Sequence, residues 1–130
     1  MTKYLFAYGT LRLNNSLPIA KKLASVSELI GLGYIKGAKL FKIDSFPGIV
    51  DGYEDEDIVI GDVFLVKEDE LYQELDEYEG IGVGHPPYDY ARKKVKVYLD
   101  DQELECWAYW FQSPLKSDAV LVDSGDYLSP

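Results

Sequence analysis

The side chain whose position in the sequence best equips it for chemistry is Glu79, in the run from Glu68 to Gly80. At about 100° per residue, with Leu71 at the origin, Tyr78 falls at about −20°, Leu75 at about 40° and Tyr72 at about 100°. These residues define one apolar arc of an amphipathic helix, and Glu79 lies inside it at about 80°. Asp69, Glu70, Glu74, Asp76 and Glu77 fall on the opposite side, where solvent is expected. Glu68 shares the arc, but it would occupy the first turn, where the positive end of the helix dipole favours a carboxylate. Glu79 stands in the last turn, where the dipole opposes an anion, just before Gly80, a residue suited to the left-handed position that ends helices. Desolvation and the dipole both raise its pKa, and a carboxylate tuned upward suits general acid/base work near neutral pH. The competing reading is that the final turn unwinds and the long stem carries the head to water. Periodicity alone favours that second reading, so the rest of the sequence has to decide.

The elements that would position Glu79 are mostly strands. Lys3 to Tyr8 is apolar or aromatic on both faces, which suits a central strand buried on two sides. Gly9 ends it and opens a polar loop, Thr10 to Pro18, followed by a short helical piece at Ile19–Ala24. Leu29 to Ile43 reads as one or two strands interrupted by Gly31, Gly33 and Gly37, with bulges and tight curvature. Phe46-Pro47-Gly48 reads as a turn, Ile49-Val50 as a short edge segment, and the acidic stretch Asp51 to Asp57 as a solvated hairpin connection. Ile58 to Val66 is a strand, and the helix ending at Glu79 follows it. Ile81 to Pro87 is a flexible flap beside Glu79. Tyr90–Leu99 and Leu104–Phe111 form a closing hairpin through Asp100-Asp101-Gln102, and the tail from Ser113 to Pro130 is largely irregular. The expected architecture is α+β, one domain over residues 1–130: a small mixed, curved β-barrel with one main helix and short helical pieces. Its mouth is the natural place for a ligand.

Composition removes several function classes. With 47 % hydrophobic residues the chain is globular. A net charge of −10 argues against nucleic-acid binding, which needs clustered Lys and Arg. No apolar run approaches the ~20 residues of a membrane span. One cysteine, Cys106, excludes an internal disulfide framework and agrees with a reducing, cytoplasmic compartment; its strand alternation with Leu104 and Ala108 makes it a core residue. With His85 as the one histidine, no zinc site can be assembled, and the acidic stretch lacks the spacing of a calcium loop. No metal and no cofactor are expected, and the partner is a small molecule. A hydrolase built on two carboxylates would need a second inward acid near Glu79, and the periodicity offers none of equal force.

Five short segments then occur in order: Tyr8-Gly9-Thr10-Leu11, Phe46-Pro47-Gly48, Leu75-Asp76-Glu77-Tyr78-Glu79-Gly80, Tyr90-Ala91-Arg92 and Gly125-Asp126-Tyr127. Together they resemble the gamma-glutamylcyclotransferase superfamily, marked by a Tyr-Gly-Ser/Thr-Leu loop, a Leu-Asp-x-x-Glu-Gly helix end and a Tyr-x-Arg strand. The threonine form of the loop looks most like the gamma-glutamylamine cyclotransferase-like branch. The resemblance implies that Glu79 is the catalytic acid/base and that Tyr8, Gly9, Thr10 and Leu11 line the substrate cavity. It implies a cofactor-free conversion of a gamma-glutamyl amine or amino acid to 5-oxoproline plus the free amine. A binding module that keeps the fold and pocket without turnover is the alternative. Arg92 reads as a structural ion-pair partner and His85 as a solvated flap residue. Departures from the family pattern, the glycine-free loop after Leu11, Pro86-Pro87 and Tyr127, border the place where the leaving group would sit.

Overall fold

A computed structural model of the chain describes residues 3–13, 15–52, 54 and 56–130. Asn14 of the first loop, and Tyr53 and Asp55 of the acidic stretch, lie outside the described residues, as do Met1 and Thr2. The chain runs β1 (Tyr4–Ala7), α1 (Pro18–Ser25), β2 (Ser27–Lys36), β3 (Ala38–Ile43), β4 (Phe46–Asp51), β5 (Ile58–Val66), α2 (Leu71–Tyr78), β6 (Tyr90–Leu99), β7 (Gln102–Phe111) and β8 (Val120–Leu121). Strands β1, β5, β2, β6 and β7 follow one another in the sheet, and β7 returns to β1 in parallel register, Leu5 opposite Trp107, which closes a mixed barrel. The remaining strands β4, β3 and β8 extend from β7 as a flap of sheet. The expected α+β barrel is therefore what forms, with two eight-residue helices rather than one main helix and fragments.

Closure explains why β1 is apolar on both faces. Phe6 and Tyr8 point into the barrel with Val63, Val97, Cys106 and Ala108. Leu5 and Ala7 point outward, beneath the helices, with Phe64, Leu75 and Tyr109. Cys106 is fully buried, and burial pushes its thiol up to about 12, so it behaves as a small hydrophobe. The helices cover this outer layer through short apolar stripes: Ala20 and Leu23 from α1, Leu71, Tyr72 and Leu75 from α2. Pro18 opens α1 at a position where its missing N–H removes no helical bond. A register shift between Leu29 and Gly31 bends β2, as the glycine density suggests.

Three local readings are corrected. Phe46-Pro47-Gly48 is not a turn and Ile49-Val50 is not an edge: residues 46–51 form one strand, β4, paired along its length with β3 and joined to β7 at Ile49, which is completely buried. Proline is tolerated at the start of β4 because β7 arrives beside that strand only at Ile49, so the missing N–H costs no ladder bond on that side. Nor is the stretch after Gly9 simply polar. Leu11 and Arg12 are both buried. Arg12 Nε donates to Asp62 on β5 at 3.3 Å, and Nη1 to Asp126 in the C-terminal tail at 2.7 Å. Leu13 N–H adds a 2.8 Å bond to the Asp62 carboxylate.

Candidate active site

Beyond Trp107, β7 leaves β1 and takes β4 as its neighbour at Trp110. Between the two pairings the seam is open, and the Tyr8 hydroxyl bridges it by donating to the Tyr109 carbonyl at 2.6 Å. A cavity of about 490 Å³ occupies this opening, walled by the end of β1 and its loop, the start of β4, the end of α2, the flap and Tyr90. Tyr8, Gly9, Thr10, Leu11 and Glu79 all lie on its wall, so residues far apart in sequence meet at one cavity. Gly9 allows that wall to be thin: a Cβ there would run into the Pro47 ring.

Glu79 is held by the way α2 ends. Gly80 N–H donates to the Glu77 carbonyl at 3.0 Å and Ile81 N–H to the Asp76 carbonyl at 2.8 Å, the paired bonds of a Schellman cap. Gly80 takes φ 84°, and no neighbour stands where its Cβ would be, so conformation rather than space calls for glycine. The cap stops the last turn from unwinding and keeps Glu79 on the apolar track. Gly80→Ala is accordingly expected to cost about 1–2 kcal/mol in chemical denaturation, the strain of a left-handed L-residue.

The electrostatics of the two acids on this helix end differ. The Asp76 carboxylate accepts Tyr109 Oη at 2.6 Å and Arg92 Nε and Nη2 at 2.9 and 3.3 Å. Arg92 in turn lies between the rings of Tyr72 and Trp107. The Glu79 carboxylate has no hydrogen bond or ion pair among the described residues. Burial pushes it up from 4.5 to about 7, and the charge of Asp76 one turn back adds to that. The phenols of Tyr8, Tyr90 and Tyr109 are raised, each chiefly by burial, so they stay protonated at neutral pH. Their protons are already committed, Tyr8 and Tyr109 as above and Tyr90 to the Pro47 carbonyl at 2.7 Å. Uncommitted donors on the wall are the backbone N–H groups of Gly9, Thr10 and Leu11, which make no bond among the described residues. Thr10 Oγ1 and Tyr78 Oη, 3.0 Å apart, share one hydrogen bond and leave one hydroxyl proton over.

Arg92 is the ion-pair partner its sequence context suggested, and His85 lines the cavity mouth. Tyr109 escaped the sequence reading because strand alternation places it opposite Ala108, outside the barrel; only the β1–β7 seam brings it to the cavity. No group of three or more His, Cys, Asp or Glu side chains among the described residues could hold a metal ion. No helix among them is long and apolar enough to cross a membrane.

The family model for gamma-glutamyl cyclotransferase, AIG2-like proteins matches residues 5–129. The chain belongs to this family. Solved structures similar to it include protein PH0828 from Pyrococcus horikoshii, at TM-score 0.72 and 21 % identity over 97 % of this chain and 90 % of that one. Protein ytfP from Escherichia coli aligns at TM-score 0.69 and 26 % identity, over 97 % and 96 % of the two chains. An AIG2-like protein (GGACT) from Mus musculus aligns at TM-score 0.66 and 21 % identity, over 86 % and 80 %. No curated protein is matched by the sequence. Membership in the AIG2-like family agrees with the barrel, the cavity at its seam and the order of the sequence motifs.

Proposed function

We propose that this AIG2-like protein is a cyclotransferase, which converts a gamma-glutamyl amine or gamma-glutamyl amino acid to 5-oxoproline and the free amine. Glu79 acts as the acid/base, and Tyr8, Gly9, Thr10 and Leu11 bind the substrate. The observation that carries this reading is a carboxylate without a partner, raised to about 7, on the same cavity wall as three consecutive uncommitted N–H groups. The glutamyl moiety fits that inventory, because its α-carboxylate and the oxyanion formed during the reaction both need donors. The threonine in the Tyr8–Leu11 loop supports a place in the gamma-glutamylamine branch.

In this mechanism the α-ammonium first yields a proton to Glu79. The freed amine attacks the side-chain carbonyl carbon, forming the ring C–N bond and a tetrahedral oxyanion beside the Gly9–Leu11 turn. Collapse of the intermediate breaks the bond to the original amide nitrogen, which Glu79 protonates as it leaves; Glu79, ionised again, takes the second proton from the ring nitrogen and passes it to the released amine. Two protons leave the α-nitrogen and two arrive on the departing amine, so no cofactor or redox partner is involved. Holding the flexible glutamyl chain folded, with the amine over the carbonyl, supplies the proximity term.

The base must be ionised in the free enzyme to start the cycle. The expected kcat/KM therefore rises about tenfold per pH unit at acid pH and levels above about 7, the value to which burial moves Glu79. A pH–rate profile of 5-oxoproline release tests this. A limb near the ordinary carboxylate value of 4.5 would show that Glu79 is not the titrating base.

A further inference from the structure

The cavity around Glu79 is lined by acids and, among the described residues, lacks lysine and arginine. Among the described residues its wall holds two carboxylates, Glu79 and Asp89, and one imidazole, His85, with no lysine or arginine. Both arginines of the chain are engaged elsewhere, Arg92 with Asp76 and Arg12 with Asp62 and Asp126. Asp89 is also held in place. Its Oδ1 accepts the Ser113 hydroxyl at 2.6 Å, and its backbone carbonyl accepts Gln112 N–H at 2.8 Å. The second carboxylate oxygen has no partner among the described residues, and the neighbouring wall is aromatic, with Phe46, Tyr78, Tyr88 and Tyr90.

Building on the cyclotransferase reading, we propose that the leaving group of the substrate is a cationic amine. Asp89, at the cavity mouth, selects it against leaving groups that carry a carboxylate. The uncommitted N–H donors lie in the Gly9–Leu11 turn, where the glutamyl half of the substrate uses them. A second carboxylate at the leaving-group end would meet Asp89 and Glu79 with no lysine or arginine on the wall to neutralise it. A protonated amine there meets one fixed carboxylate and several ring faces, which attract cations through their quadrupoles. The net charge of −10 acts in the same direction at longer range, drawing cations toward the mouth and repelling anions. The distal cation takes no part in bond making: the ring C–N bond forms and the amide C–N bond breaks as before.

Three gamma-glutamyl conjugates of similar length separate the charges: diaminobutane (cationic), butylamine (neutral) and gamma-aminobutyrate (anionic). The expected order of kcat/KM for 5-oxoproline release is cationic, neutral, anionic, with about tenfold between the extremes, the size of effect a partly exposed charge supports. Asp89→Asn should shrink the cationic-to-anionic ratio about three- to fivefold. Raising ionic strength should shrink it in the wild-type protein too. Equal or reversed rates in the wild type, or an unchanged ratio in folded Asp89→Asn, would overturn the proposal while leaving the cyclotransferase reading intact. No release from any of the three by folded protein would overturn the proposal, whereas the cyclotransferase reading falls only if gamma-glutamyl amino acids also give no 5-oxoproline.

Discussion

Glu79→Gln is expected to lower kcat by about a hundred- to ten-thousand-fold, the contribution of a positioned general acid/base, while leaving substrate affinity largely intact. Glutamine keeps the shape and polarity of the side chain and removes its capacity to carry a proton. The same substitution should stabilise the fold at alkaline pH. Glu79 is raised from 4.5 to about 7 in the folded protein, so between those values the folded state binds more protons than the unfolded chain. By linkage, stability falls as pH rises through that window, and the penalty is complete above about 7. Below 4.5 both states are protonated and the penalty vanishes. Thermal melts should thus show Glu79→Gln more stable than wild type at pH 8, with the gain lost near pH 4. An inactive variant less stable at pH 8 would contradict the unpaired, half-buried carboxylate on which the mechanism rests. A gain in stability coupled to loss of activity is the usual signature of a strained functional group.

Arg12→Ala is expected to destabilise the fold strongly, by about 3–5 kcal/mol. The Arg12 side chain is 6 % exposed, and its two partners, Asp62 and Asp126, are 12 % and 23 % exposed. Removing the guanidinium leaves two carboxylates facing each other in a poorly hydrated site. Each retains a single backbone donor, Leu13 N–H for Asp62 and Leu128 N–H for Asp126. Tm should fall on the order of 10 °C or more for a domain of this size. Arg12→Lys keeps the charge and loses the fork that reaches both acids, so it should fall between the wild type and Arg12→Ala. A loss below about 1 kcal/mol in Arg12→Ala would mean that the tail and the loop are held by packing alone. Arg12 N–H also closes the turn at Gly9, with a 3.1 Å bond to the Gly9 carbonyl, so the same residue connects the tail to the cavity wall.

The parts of the fold legible in sequence are those governed by local pattern. Strict alternation fixed β6 as Tyr90–Leu99, and a dense apolar run bounded by polar residues fixed β5 as Ile58–Val66. Helical period put Glu79 on the apolar arc but favoured an unwound last turn; what holds the turn is the pair of cap bonds at Gly80 and Ile81, which period does not reveal. The misread parts depend on partners that local pattern does not reveal. Pro47 and Gly48 look like turn residues, but β3 pairs with them and Pro47 packs against Gly9. Arg12 sits in a stretch of polar appearance, yet its partners lie 50 and 114 residues away. Tyr109 belongs to the cavity only because β7 changes neighbours at the seam. The Asp76–Tyr109–Arg92 network is likewise long-range: it ties the last turn of α2 to the barrel wall.

The most direct test of the central claim is 5-oxoproline release from gamma-glutamyl amines and amino acids, including gamma-glutamyl-lysine and glutathione, by wild-type protein and Glu79→Gln side by side. The account predicts product with the wild type on at least one conjugate and essentially none with the variant, both proteins being folded and both binding that conjugate. Comparable product from the variant, or no product from the wild type on any conjugate, would contradict it.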